Sequence, residues 1–159
     1  MTRSWKPLAL VGVVAALGAT LTASSWRPAE ADSPLAAATS ITVYKDPSCG
    51  CCSRWVTHLR EAGFTVVARD TSAMDAVKAK HGVTSELASC HTAVVDGYVI
   101  EGHVPAADIQ RLLEQKPPVA GLAVPGMPMG SPGMEGPRTD AYDVLSFDRQ
   151  GRTKVFSSH

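Results

Sequence analysis

Apolar and polar residues alternate first at Ile41-Thr42-Val43-Tyr44, the period-two pattern of a strand with one buried face. Beyond the turn at Asp46-Pro47-Ser48 the period changes. Trp55, Val56, Leu59 and Ala62 recur at helical spacing, and Gly63 is placed to cap the helix end. Phe64 to Ala68 reads as a second strand, and strand–helix–strand in so few residues implies a parallel βαβ unit. Thr71 or Ser72 can cap a second helix that turns Met74 and Val77 inward and stops at Gly82. Thr92 to Val95 and Tyr98 to Ile100 flank Asp96-Gly97, a strong hairpin signal. Gly102-His103-Val104-Pro105 then opens a third helix with Ile109, Leu112 and Leu113 on one face.

The order β-α-β-α-β-β-α predicts an α/β domain of thioredoxin-like architecture, a fold-level analogy that does not by itself give function. From Pro117 the helical pattern stops. Proline and glycine recur so often between Gly121 and Glu135 that the stretch is expected to hold no regular element. A closing hairpin, Tyr142 to Phe147 and Arg152 to Phe156 around Gly151, completes the pattern. The expected organisation is a signal peptide over 1–31, a linker over 32–40, a metal-binding domain over 41–116, and a loop with a closing hairpin over 117–159 packed on that domain.

The N-terminal reading rests on charge and length. Arg3 and Lys6 precede an uncharged, mostly apolar run from Leu8 to Leu21. That run has the length of a secretory h-region and is shorter than the roughly 18–20 residues of a membrane span. Ala29-Glu30-Ala31 offers a cleavage site, with an earlier one near Ala23. Export to the periplasm, with no stable span after cleavage, is therefore expected, and an oxidising compartment favours pairing of spare thiols. The 15 basic and 15 acidic residues balance to a formal charge of zero, which argues against nucleic acid or an acidic membrane surface as a partner.

Candidate chemistry is concentrated in sulfur. Three of the four cysteines, Cys49, Cys51 and Cys52, fall within four residues at the strand-to-helix turn, and the fourth, Cys90, is followed by His91. Unpaired N–H groups and the positive dipole end at a helix N-terminus favour thiolate over thiol at Cys51 and Cys52. Cys49 and Cys52 have the C-x-x-C spacing of a redox pair at the head of a helix. In a thioredoxin-like fold the turn before the third strand faces those cysteines, so Cys90 and His91 would converge on them.

Three readings compete for this group. Structural disulfides satisfy the even count but make poor use of the adjacent Cys51 and Cys52. Structural zinc requires a tetrahedral set, which Cys49, Cys51 and Cys52 with Cys90 or His91 could supply in a crowded arrangement. Soft Cu(I) suits bunched, bridging thiolates, with more than one ion per chain expected. His103 is a secondary ligand candidate. So are Met127 and Met134, whose thioethers lie in a proline- and glycine-rich loop and could equally serve as apolar gap-fillers. His58, His81 and His159 show no partner in the sequence and are expected to face solvent.

Four stretches carry a family resemblance: Tyr44-Lys45-Asp46-Pro47-Ser48-Cys49-Gly50-Cys51-Cys52, Ser89-Cys90-His91-Thr92-Ala93-Val94-Val95-Asp96-Gly97-Tyr98, Glu101-Gly102-His103-Val104-Pro105, and the run from Pro125 to Glu135. In this order they resemble the CopG-type periplasmic copper-resistance proteins, within a wider metal-binding family described only as a domain of unknown function. The similarity spans about Ile41 to Phe156. It implies a thioredoxin-like domain and a thiolate-bound copper cluster, with Cys49, Cys51, Cys52 and Cys90 as the sulfur ligands. It also implies interconversion of Cu(I) and Cu(II), alongside other periplasmic copper-handling proteins. The residues alone leave open a thiol-disulfide oxidoreductase without metal, or a structural zinc or disulfide domain.

Overall fold

The computed structural model describes residues 39–159. The signal-peptide reading, and the linker up to residue 38, lie outside the described residues. The elements in chain order are β1 (Ser40–Lys45), α1 (Gly50–Glu61), β2 (Thr65–Asp70), α2 (Met74–Lys80), β3 (His91–Val95), β4 (Tyr98–Glu101), α3 (Ala106–Gln115), β5 (Gly121–Ala123), β6 (Asp143–Phe147) and β7 (Thr153–Ser158). They form a mixed α/β fold around one seven-stranded sheet in the order β2-β1-β3-β4-β5-β6-β7.

The alternation along the strands separates two apolar clusters. Ile41, Val43, Ala93, Val95 and Ile100 pack with Trp55, Val56 and Leu59 of α1 and with Ile109 and Leu112 of α3. Val99, one residue from Ile100, joins Ala123 and Phe147 in a second cluster with Val83 and Leu87. Adjacent strand residues point to opposite faces, so one strand serves both clusters. On α1 the buried positions are Cys52, Trp55, Val56 and Leu59, spaced i, i+3, i+4, i+7, the core stripe of a helix.

Turn chemistry agrees with the sequence at the hairpin, where Asp96 (φ 47°) and Gly97 (φ 81°) both take left-handed conformations. Gly63 (φ 93°) ends α1, with its N–H on Arg60 O and that of Phe64 on Leu59 O.

Three expectations need correction. The stretch after Pro117 does hold an element: β5 pairs parallel with β4 and antiparallel with β6. It carries the sheet from the first four strands into the closing hairpin. Helix α2 has no fully buried residue and no side-chain cap; Met74 and Val77 are half-buried rather than core. Finally, His58 and His81, expected in solvent, are half-buried, whereas His159 is exposed as expected. His58 is half-buried, and its Nε2 accepts from Ala106 N–H at 3.0 Å. His81 is half-buried against Tyr44, ring centroids 5.8 Å apart. His159 pairs with the buried Asp108 at 2.8 Å.

Register brings the chemistry to one end of the sheet. β1 and β3 are antiparallel with Lys45 opposite His91, so the turn leaving β1 lies beside the turn entering β3. β3 and β4 are antiparallel with Thr92 opposite Glu101, which brings Gly102 and His103 to the same end. Glu101 is level with Ala123 on the parallel β5, and the Met127–Met134 loop leaves from there. Among the described residues no helix is long and apolar enough to cross a membrane.

Candidate metal centre

Cys49 is the N-cap of α1, and its sulfur accepts the Cys52 N–H at 3.3 Å, occupying one of the free donors of the first turn. Helical phase then separates the next two cysteines. Cys52 falls on the buried stripe, whereas Cys51, one residue earlier, is half-exposed on the side facing Cys90. Cys49 and Cys52 form a disulfide across 5.4 Å between Cα atoms, leaving Cys51 and Cys90 as free thiols. Cys51 Sγ lies 3.4 Å from Cys49 Sγ and 3.9 Å from Cys90 Sγ. The four sulfurs lie within 4.8 Å of one another and would form one compact donor group once that disulfide is reduced.

A second group shares Cys90 and adds His91 and His103. His103 Nε2 is 3.0 Å from Cys90 Sγ, and its Nδ1 is 2.8 Å from Pro132 O. A carbonyl only accepts, so Nδ1 carries the proton and Nε2 turns its lone pair toward the sulfur. Burial, the largest influence, depresses the His103 pKa and keeps the ring neutral. His91 Nδ1 is 3.3 Å from the same sulfur, and its Nε2 is buried without a partner. Its ring lies 4.3 Å from that of Trp55 and edge-on to His103 at 4.9 Å. Burial, reinforced by the neighbouring His103 and Lys78, holds its pKa well below the usual imidazole value.

Cys90 is not an easy thiolate. It lies off the helix whose N-terminus would stabilise an anion, and burial beside Cys51 pushes its pKa up to about 12. Without a cation the thiol keeps its proton; a soft metal would have to displace it.

The loop carrying the methionines packs on this site. Gly133 sits so close that a Cβ there would lie 2.7 Å from Cys51 O and 2.9 Å from Trp55 N. Arg54 Nε donates to Gly133 O at 2.9 Å. Met127 is 53 % exposed, and Met134 is half-buried next to Gly133. Cys49, Cys51, Cys52, Cys90, His91 and His103 are thus brought together.

Reading the sequence missed the support beneath Cys90. Glu101 is wholly buried and accepts from Ser89 N–H at 2.7 Å, from Thr92 Oγ1 at 2.6 Å and from Lys78 Nζ. The signal was a Glu ending a strand otherwise made of core residues, a position where a charge requires a partner.

The model of the family described as protein of unknown function, DUF411, matches residues 87–134. No curated protein matches. Two solved structures, forms 2 and 1 of a copper resistance protein copG, are each 47% identical, cover 77% of this chain and 98% of theirs, and superpose with a TM-score of 0.73. The convergent sulfur and imidazole donors agree with that likeness, and the chain belongs to the family of copper resistance protein CopG.

Proposed function

We propose that the protein binds copper at the strand ends gathered around Cys90, holding Cu(I) on several thiolates and cycling it against Cu(II). The observation that carries this reading is the shared sulfur: Cys90 belongs both to a four-cysteine group and to a Cys-His-His group. Bunched thiolates suit Cu(I), and imidazoles also accept Cu(II), so the two groups together can follow a change of oxidation state. Met127 and Met134 are secondary thioether donors from the covering loop.

Cys49 and Cys52 serve as the electron store. In the reduced protein both are thiols. Two Cu(II) ions each accept one electron, one Cys49–Cys52 bond forms, and two protons leave. The oxidised pair is the state seen in the structure, in which Cys51, Cys90, His91 and His103 remain as donors. Their placement supports the role: a C-x-x-C at a helix N-terminus is the arrangement of exchangeable rather than structural disulfides.

To test this, reduced protein is mixed with limiting Cu(II) without oxygen, free thiols are counted and disulfides mapped by mass spectrometry. The expected result is bound Cu(I) with a Cys49–Cys52 disulfide, and a separate titration with excess Cu(I) should load more than one ion per chain. Cys52→Ser should lose the reduction and keep part of the Cu(I) affinity. Copper remaining as Cu(II) refutes the redox role; uptake of a single zinc in preference refutes the copper site. Disulfide exchange with other proteins but no copper uptake would favour a metal-free thiol oxidoreductase. The setting is the periplasm, supported by the charged start and short apolar run, in exchange with other copper-handling proteins there. N-terminal sequencing of the exported protein should find a start after Ala23 or Ala31, and finding Met1 or Thr2 would reject export by cleavage.

A further inference from the structure

We propose that Glu101 is a positioning residue for Cys90, with Lys78 as its counter-ion; the inference rests on the copper-site reading above and concerns what holds its shared sulfur in place. The carboxylate spans the Cys90-His91 pair. Its Oε1 takes the N–H of Ser89, one residue before, and its Oε2 takes the hydroxyl of Thr92, one residue after. Both candidate ligands therefore lie between two anchors on a single planar group. Lys78 Nζ bonds to Oε1 and, at 3.3 Å, to Thr92 Oγ1, so it closes the same network.

Stability alone does not account for a carboxylate here. Glu101 is fully buried and the Lys78 side chain is 12% exposed. Desolvating such a pair offsets much of its attraction, and apolar replacements of both partners are often neutral for the fold. An apolar residue, however, cannot accept at both ends of the turn. The other bonds of the turn are to backbone acceptors and none spans the Cys90-His91 pair: Gly102 N–H reaches His91 O at 3.0 Å, Ser89 Oγ donates to Gly126 O, and Gly126 N–H reaches Ala88 O at 3.2 Å. Cys90 must stay near Cys51 on one side and His103 on the other, at 3.9 and 3.0 Å. A turn free to shift by about an ångström would drop it from one donor group. The network also explains how α2, which buries no residue fully, is fastened near the site: Lys78 is its link to β3 and β4.

The test compares two neutral double variants. Lys78→Met with Glu101→Leu removes both anchors; Lys78→Met with Glu101→Gln keeps an acceptor for Ser89 N–H and a polar contact for Thr92. With the Cys49–Cys52 disulfide closed and no metal present, iodoacetamide should modify Cys90 about tenfold faster in the Leu variant, with Cys51 unchanged and the Gln variant close to the parent. Cu(I) affinity should fall roughly 10- to 100-fold in the Leu variant, the usual loss when a group that orients a ligand is removed. In a Cys90→Ser background the same change should cost much less, because only the placement of His91 is then left to lose. A folded Leu variant with parental Cys90 reactivity, or a copper loss that adds fully to that of Cys90→Ser, overturns the proposal. Should the parent bind no Cu(I), the copper reading falls while the alkylation rates still decide the role of Glu101. Should the Leu variant not fold, Thr92→Val removes the Oε2 anchor alone and is judged by the same alkylation measurement.

Discussion

Replacing Gly133 by alanine probes whether the loop and the donor groups form one structure. Gly133 has φ 86°, and a Cβ there would meet the backbone of α1 at Cys51 O and Trp55 N. Left-handed backbone costs a residue with a Cβ about 1–2 kcal/mol, and the two clashing atoms belong to a helix turn that cannot yield. The loop can escape by lifting off. It then loses the bonds from Arg54 to Gly133 O and from His103 to Pro132 O, at 2.9 and 2.8 Å. Each is worth about 0.5–1.5 kcal/mol net. By either route the loss of stability is about 1–3 kcal/mol, measured by urea unfolding. The functional effect should be larger, because a freed His103 no longer aims Nε2 at Cys90: Cu(I) affinity, read by competition with a chromogenic chelator, should drop roughly 10- to 100-fold. Gly136→Ala is the control. Its Cβ would meet only the mobile end of Met129, so stability should stay within about 0.5 kcal/mol of the parent. A Gly133→Ala protein that matches the parent in both measurements refutes the claim that the loop positions His103.

Cys51→Ser should lower the number of Cu(I) ions bound per chain in anaerobic titration while circular dichroism stays unchanged, since Cys51 is half-exposed and outside the core stripe. Trp55→Phe removes the 2.8 Å bond from Nε1 to Val104 O and leaves a buried carbonyl unpaired. It should cost about 1–3 kcal/mol in denaturant unfolding, and no loss would show that water or another donor reaches that oxygen. Metal-free protein should also lose stability in acid. Burial lowers the pKa of His58, His91 and His103 below the ordinary 6.5, so the unfolded chain binds more protons than the folded one. Stability should be fullest above pH 6.5 and decline as pH falls through the folded values; thermal melts that are flat between pH 8 and 5 would contradict this.

The parts of the site legible in the sequence are those set by local period, and the parts that escaped depend on what one backbone or charge meets across the sheet. The strand-to-helix change of period around Cys49–Cys52 places those thiols at a helix head, and helical phase alone buries Cys52 while exposing Cys51. The hairpin at Asp96-Gly97 turns β3 back into β4, which is why Cys90 and His103 come to the same end as those thiols. Gly121 misled because glycine in a proline-rich run reads as a breaker. Here it is a close-approach residue: a Cβ would strike Val99 O of the neighbouring strand, so glycine is what permits β5 to form. His58 was misjudged for a related reason. Ala106 is the first residue of α3, so its N–H has no acceptor within the helix, and it finds His58 Nε2 on α1. That need was visible in the sequence; the identity of the acceptor was not. Glu101 shows the same limit most clearly. A carboxylate closing a core strand signals a partner, but only the pairing of β3 with β4 and the docking of α2 reveal that its partners flank Cys90. The sulfurs are therefore readable as a list, whereas the control of their separation lies in residues outside the two donor groups.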